Sequence, residues 1–174
     1  MTVTQTARLT LRRFAPGDAA FILRLLNEPS FLRNIGDRGV RTSEDAEKYL
    51  HDGPIASYER HGHGLWLTAL KGTGEPIGMC GLLKRDHLPH PDIGYALLPE
   101  FCSFGYASEA AAAVLEIGWR ELGLPRILAI VSPTNAASIR LLENLGFAPA
   151  GTAQAQPGGV DSALYELHRP VDGR

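Results

Sequence analysis

Hydrophobic and polar positions along this chain change period several times, and each change marks an element. Near the N-terminus Leu9 and Leu11 alternate with Thr10 and Arg12, which predicts a first strand over 8–14. Pro16, Gly17 and Asp18 then form a turn and a helix cap. Ile22, Leu25 and Leu26 follow at helical spacing until Pro29 ends the helix. Residues 31–40, with Gly36 and Gly39, read as loop. Thr42 and Ser43 ahead of Glu44 and Asp45 open a second helix, whose apolar stripe is Ala46, Tyr49 and Leu50. Gly53 and Pro54 break or kink that helix before it resumes toward Arg60. His61 and His63, interleaved with glycines, read as a turn carrying surface histidines.

Two strands come next, over 65–70 and 77–83, joined by a hairpin connection rich in Gly, Thr and Pro. A loop over 84–91 holds His87 and His90 and leads into a strand over 93–98. The turn at Pro99 and Glu100 then opens the best helix of the chain, 106–123. In it Ala107, Ala110, Ala111, Val114, Leu115 and Leu122 recur at helical spacing, and Glu116 and Arg120 pair on the other side. Gly123 and Pro125 end it. A continuously apolar strand follows over 126–131, then a helix over 135–145 closed by Gly146. Two last strands, 147–152 and 163–167, flank a connection over 154–161. The order β, α, α, β, β, β, α, β, α, β, β predicts an α+β fold, a mixed sheet with helices on both faces.

The strand–turn–helix over 92–112 carries the first candidate chemistry. The first N–H groups of a helix have no intrahelical partner and lie at the positive end of its dipole. Gly105 and Ala107 would let an anionic ligand approach that backbone closely. The segment suits a phosphate or pyrophosphate; equally, it reads as a plain connection whose small residues serve packing. It contains neither a GxGxxG fingerprint nor a P-loop lysine.

Composition narrows the partners. At 174 residues the chain is expected to form one domain over 1–174 and to bury roughly 70% of its unfolded surface. A net charge of −2 with no basic run argues against nucleic acid or an anionic membrane as partner. No apolar stretch is long enough to span a bilayer, and no signal peptide is visible. Cys80 and Cys102 lack metal-ligand spacing and read as buried or half-buried free thiols in a reducing compartment, so a cytoplasmic location is expected. No metal site is expected.

Residues 94–110, GYALLPEFCSFGYASEA, and 131–147, VSPTNAASIRLLENLGF, stand in the order and separation of two motifs of a known family. With the opening TARLTLRRFAPGDAAFILRLL, the chain resembles the GNAT superfamily of N-acetyltransferases, and within it the branch of the ribosomal-protein N-acetyltransferases. The likeness runs from Thr6 to about Leu167. It implies a central, mostly antiparallel sheet whose strand before the pivotal turn and strand from Arg126 splay apart to hold the pantetheine arm of acetyl-CoA. It implies a transfer of the acetyl group to a primary amine, a protein or peptide N-terminus, in a ternary complex. A small-molecule amine, or a binding module without turnover, are the alternatives. Residues 31–58 would contribute to acceptor choice. The resemblance leaves monomer and homodimer open.

The resemblance also assigns residues, with departures. The backbone of Cys102, Phe104, Gly105, Tyr106 and Ala107 would hold the pyrophosphate. Cys102 stands where the family has a polar first residue, and Phe104 where Lys or Arg is common, so a cation is missing from the loop. Leu97 and Leu98 would neighbour the pantetheine, and Asn135 would contact the cofactor arm. Many relatives carry a tyrosine as proton donor at the position of Leu142, and that donor is absent here. Ser138 would hydrogen-bond the departing sulfur, or else bond its own helix backbone. Asp92 would act as base or proton relay, or else be a strand-end carboxylate facing solvent. His87, His90 and Tyr58 are weaker candidates.

Overall fold

A computed structural model describes residues 1–154 and 161–171. Its frame is a sheet of strands β1 (Thr2–Gln5), β2 (Leu9–Arg12), β3 (Leu65–Leu70), β4 (Pro76–Leu83), β5 (Asp92–Leu97), β6 (Arg126–Val131), β7 (Ala148–Ala153) and β8 (Ser162–His168). Among the described residues these run in the order β1-β2-β3-β4-β5-β6-β8-β7, antiparallel throughout except for β5 beside β6. Helices α1 (Ala19–Leu26), α2 (Pro29–Asn34), α3 (Ser43–Leu50) and α4 (Ala56–His61) precede β3; α5 (Tyr106–Arg120) and α6 (Ala136–Asn144) flank β6.

The sheet separates two cores. On one face Ile77, Leu82, Ile93 and Ile127 meet Val114, Ile117 and Trp119 of α5 and Leu142 of α6. On the other Leu65, Leu67, Met79 and Leu98 meet Ile22 and Leu25 of α1, Phe31 of α2 and Leu50 of α3. Each fully buried aliphatic side chain contributes roughly 1.5–3 kcal/mol, so both faces are strongly specified. Adjacent strand residues point to opposite faces. Hence Trp66 belongs to the first core while Leu65 and Leu67 belong to the second. Gly118 lets α5 lie close on the sheet, since a Cβ there would come within 2.6 Å of Ile127 Cδ1. Thr42 caps α3 reciprocally: its hydroxyl accepts from Asp45 N–H at 3.1 Å, and Asp45 Oδ2 accepts from Thr42 N–H at 3.0 Å.

Several sequence expectations are corrected. β1 was not foreseen; it is an edge strand defined by its pairing with β2. Residues 31–40 are not all loop, because Pro29 sits at the first turn of α2 instead of merely closing α1. Asp18 is the N-cap residue of α1 but makes no side-chain capping bond to it; its carboxylate accepts from Arg12 at 2.8 and 2.9 Å and from Ala15 N–H. The kink at Gly53 and Pro54 is a π-turn, His51–Ile55, that carries α3 into α4 without a break. His63 is buried, not superficial, with Nδ1 at 2.8 Å from the Leu82 carbonyl oxygen. Cys80 is a buried free thiol, whereas Cys102 is exposed. The connection expected over 154–161 lies, apart from its ends, outside the described residues. Among those described, no helix is long and apolar enough to cross a membrane, and no group of three or more His, Cys, Asp or Glu could hold a metal.

Candidate active site

The site arises where the sheet fails to pair. β5 is joined to β4 from Asp92 opposite Leu83 to Leu97 opposite Gly78, and β6 to β8 just as fully. Between β5 and β6 the register holds only at Asp92 and Leu128, supported by the Leu128 N–H donating to the Pro91 carbonyl at 2.9 Å. Beyond that apex no ladder joins them. The β6-facing edge of β5 is therefore a row of backbone groups without sheet partners, available to an extended ligand. A cavity of about 530 Å³ fills the gap.

The cavity passes through the sheet. On the α5–α6 side it is lined by Tyr95, Leu97, Gly105, Ala107, Asn135 and Ser138. On the side of the second core its walls are Ser30, Phe31, Asn34 and Ile35 of and just after α2, with Ala96. Two ligands entering from opposite faces would meet at the strand gap.

At its mouth the loop from Leu98 to Tyr106 gathers backbone donors. Ser103 and Gly105 both adopt left-handed conformations, with φ of 69° and 82°. For Ser103 that conformation costs roughly 1–3 kcal/mol, strain that a bound ligand or the surrounding fold must hold in place. No side chain caps α5, so its first N–H groups are open to an anion. Cys102, Gly105, Tyr106 and Ala107 line the cavity; Phe104 does not, and its ring is 61% exposed. Leu98 is corrected outright. It is fully buried in the second core and does not line the cavity; it directly follows Leu97, and strand residues alternate. That alternation was available in the sequence.

Deeper in, the structure brings together two groups that the sequence did not connect. Tyr95 on β5 places its hydroxyl 2.6 Å from Ser138 Oγ on α6. Burial, only partly offset by that hydrogen bond, pushes the Tyr95 phenol up to about 12, so it keeps its proton across the neutral range. Asn135 caps α6 through Oδ1, which accepts from Ser138 N–H at 3.2 Å. The phenol that many relatives carry at the position of Leu142 is absent there, and Leu142 is buried and lines the cavity; the phenol of Tyr95 stands on the opposite strand.

Asp92 lies at the apex, 1% exposed, so the solvent-facing alternative is wrong. Oδ1 accepts from Arg85 Nε at 2.9 Å, and Oδ2 is buried without a protein partner. Burial pushes its pKa up, against the pull of Arg85. It does not line the cavity. Nor do His87, His90 or Tyr58. Tyr58 is a core residue whose hydroxyl donates to the Leu65 carbonyl and accepts from Phe14 N–H at 3.2 Å.

The sheet opens at its one parallel pair with a helix N-terminus facing the gap, the arrangement that the resemblance to the GNAT superfamily implies. The family model described as "Acetyltransferase (GNAT) domain" matches residues 8–148. The uncharacterized N-acetyltransferase YoaA of Bacillus subtilis is 32% identical over 174 residues, covering 97% of each chain. A second relative in that species, the uncharacterized N-acetyltransferase YnaD, is 30% identical over 146 residues, covering 84% of this chain and 82% of its own. Among solved structures, an acetyltransferase of Agrobacterium tumefaciens superposes with a TM-score of 0.82 at 27% identity, covering 97% and 95%. RimL, a ribosomal L7/L12 alpha-N-protein acetyltransferase solved with coenzyme A, shares the fold with a TM-score of 0.81 at 18% identity, covering 97% and 98%. The chain belongs to the GNAT acetyltransferases and is an acetyltransferase, an enzyme of a family that uses acetyl-CoA as donor.

Proposed function

We propose that this enzyme moves the acetyl group of acetyl-CoA to the free amine of a protein or peptide N-terminus. The observation that carries this choice is the charge of the cleft. Among the described residues lining the cavity none is acidic, and Arg140 supplies its one charge. Segment 155–160, AQPGGV, also lacks an acidic residue. A polyamine or aminoglycoside brings several ammonium groups, which a site without carboxylates does not favour. A peptide N-terminus brings one, flanked by neutral amides that suit the α2 wall of Ser30, Phe31, Asn34 and Ile35. RimL, which acts on a protein according to its description, supports the same choice by analogy of fold.

The pyrophosphate of the donor fits the backbone of 102–107, and its pantetheine arm fits the unpaired edge of β5 beside Leu97 and Asn135. Holding donor and amine in one gap can lower the barrier by ~7–11 kcal/mol without any covalent enzyme species. In the reaction the amine nitrogen bonds to the acetyl carbon, the carbon–sulfur bond breaks, and the sulfur gains a proton while the nitrogen loses one. Tyr95 keeps its proton, and its hydroxyl shares one hydrogen bond with Ser138 Oγ in which either can donate; with Tyr95 as the donor, the Ser138 hydroxyl hydrogen is left for the departing sulfur. Asp92 Oδ2, a buried acceptor with a raised pKa, takes the proton lost by the amine through water.

Release of free CoA is measured against a panel of peptides, amino acids, polyamines and aminoglycosides, with mass spectrometry of the products. Turnover is expected with peptides bearing neutral N-terminal residues. Turnover confined to polyamines or aminoglycosides would overturn the acceptor assignment, and calorimetry showing no acetyl-CoA binding would overturn the donor site.

A further inference from the structure

The phosphate loop has no cation of its own: residues 99–108, PEFCSFGYAS, contain neither Lys nor Arg. It also has an apparent liability. Glu109 lies in the first turn of α5, where a carboxylate competes with an incoming phosphate for the positive end of the helix. A residue distant in sequence resolves both. Arg8, in the turn between β1 and β2, donates from Nε to Glu109 Oε2 at 2.7 Å and from Nη1 to the Phe104 carbonyl at 2.9 Å. Its guanidinium carbon stands 4.5 Å from the centre of the Tyr106 ring, and Nη2 lies 3.3 Å from where a Cβ on Gly105 would be. The Arg8 backbone N–H and the Thr6 hydroxyl both donate to Glu109 Oε1, at 2.9 and 2.5 Å. Both carboxylate oxygens are thereby occupied. Burial pushes the Glu109 carboxyl up, but the hydrogen bonds from Thr6 and Arg8 outweigh it and the net shift is downward.

We propose that Arg8 and Glu109 form a clamp that sets the affinity of this loop for the phosphates of the donor. Arg8 is a positioning residue. It does not line the cavity, yet it spans the turn from Phe104 to Glu109, fixes the left-handed Gly105 between them and neutralises the carboxylate nearest the anion. The clamp brings a guanidinium from the N-terminal hairpin to a loop that has no cation of its own, and there it offsets Glu109. Because it grips only the phosphate end, it discriminates donors that carry phosphates from those that do not. The thioester end lies at Tyr95 and Ser138, outside its contacts. This inference rests on the donor site proposed above.

The test compares acetyl-CoA with S-acetylpantetheine, which has the same thioester and arm but no phosphates. Calorimetric titration of CoA supplies a readout independent of turnover. Arg8→Gln should weaken CoA binding about tenfold, a change equivalent to losing one charge-assisted contact. The preference for acetyl-CoA over S-acetylpantetheine, as a ratio of kcat/KM values, should fall by a similar factor. Adding Glu109→Gln should restore part of both, because the uncovered carboxylate is then gone, and Arg8→Lys should fall between wild type and Arg8→Gln. Circular dichroism and thermal melting confirm that each variant is folded. An equal loss with both thioesters, or a double variant no better than Arg8→Gln, would overturn the clamp and leave Arg8 a structural residue. Unchanged CoA affinity in Arg8→Gln would also overturn it. Failure of the wild-type protein to bind CoA would instead overturn the donor site.

Discussion

The two ends of the cleft are built on different principles. At its mouth the loop from Leu98 to Tyr106 is made of backbone: two left-handed residues, an uncapped helix start and small side chains. At its interior, the proposed chemistry rests on pairs of side chains from separate elements: Tyr95 with Ser138 across the strand gap, and, behind the cavity wall, Asp92 with Arg85 at the apex. A backbone site depends on where the chain can go, and so tolerates Cys102 and Phe104 in place of polar residues. A side-chain site depends on which groups the fold brings within hydrogen-bond distance. The first kind should break through shape and charge, the second through chemistry with binding retained.

The largest effect should come from the mouth. Gly105→Glu is expected to abolish detectable CoA binding by calorimetry. Gly105 holds φ of 82°, which disfavours any side chain, and a carboxylate there adds like charge beside the phosphates. Gly105→Ala carries the conformational part, about 1–2 kcal/mol of stability, with its Cβ pressing on Arg8 Nη2 at 3.3 Å, and should weaken CoA without abolishing it. If Gly105→Glu bound CoA normally, the backbone site would lie elsewhere.

The interior pair should lower turnover and spare binding. Ser138→Ala and Tyr95→Phe are each expected to reduce kcat by up to ~10²-fold, with CoA affinity nearly unchanged, since they act mainly in the transition state. The double variant should be little worse than either alone, because the two hydroxyls work as one unit. With the Tyr95 phenol raised to about 12, any alkaline limb of the rate below pH 10 should persist in Tyr95→Phe. Additive losses in the double variant would show that the two act separately.

A smaller, pH-dependent effect is expected at the apex. If Asp92 accepts the amine proton, Asp92→Asn should slow turnover most at low pH and least at high pH, where the amine is already free. A uniform loss would point to positioning. Stability gives an independent reading. Burial raises the folded pKa of Asp92 above its ordinary value, so its contribution is fully present below the unfolded pKa. That contribution is lost as pH rises through the folded pKa. Denaturant titrations across that window should show the stability of wild type relative to Asp92→Asn falling as pH rises.

The smallest effect tests loop strain. Ser103→Gly removes a side chain held at φ of 69° and should raise stability by at most about 1 kcal/mol, offset in part by the added freedom of the unfolded chain. Thermal melting reads it directly.

Much of this fold was legible because its elements are strongly periodic. The bounds of β3 and β6 follow from apolar runs that only buried strands tolerate, and the start of α5 follows from its helical stripe. The loop from Leu98 to Tyr106 stood out because Gly105 and Ala107 are what close backbone approach demands. The sequence also placed Ser138 and Asn135 together, one helical turn apart. The place of Leu98 in the second core follows from strand alternation, which is legible in the sequence. α2 was hidden because Pro29 can either stop one helix or start the next.

What remained was decided in three dimensions. Nothing local tells Tyr95 that its partner lies 43 positions ahead, or Arg8 that it will meet Glu109 across 101 positions. Asp92 could be told as a strand-start carboxylate, but its burial beside Arg85 depends on how the fold sets that strand end. The strand gap itself has no motif: β5 and β6 each satisfy their other neighbour completely, and only their mutual geometry leaves them joined at one point. Periodicity and turn chemistry act between near neighbours along the chain, so the sequence determined the elements and the backbone loop. Proximity between distant residues is a property of packing, and packing alone brought the groups of the proposed chemistry together.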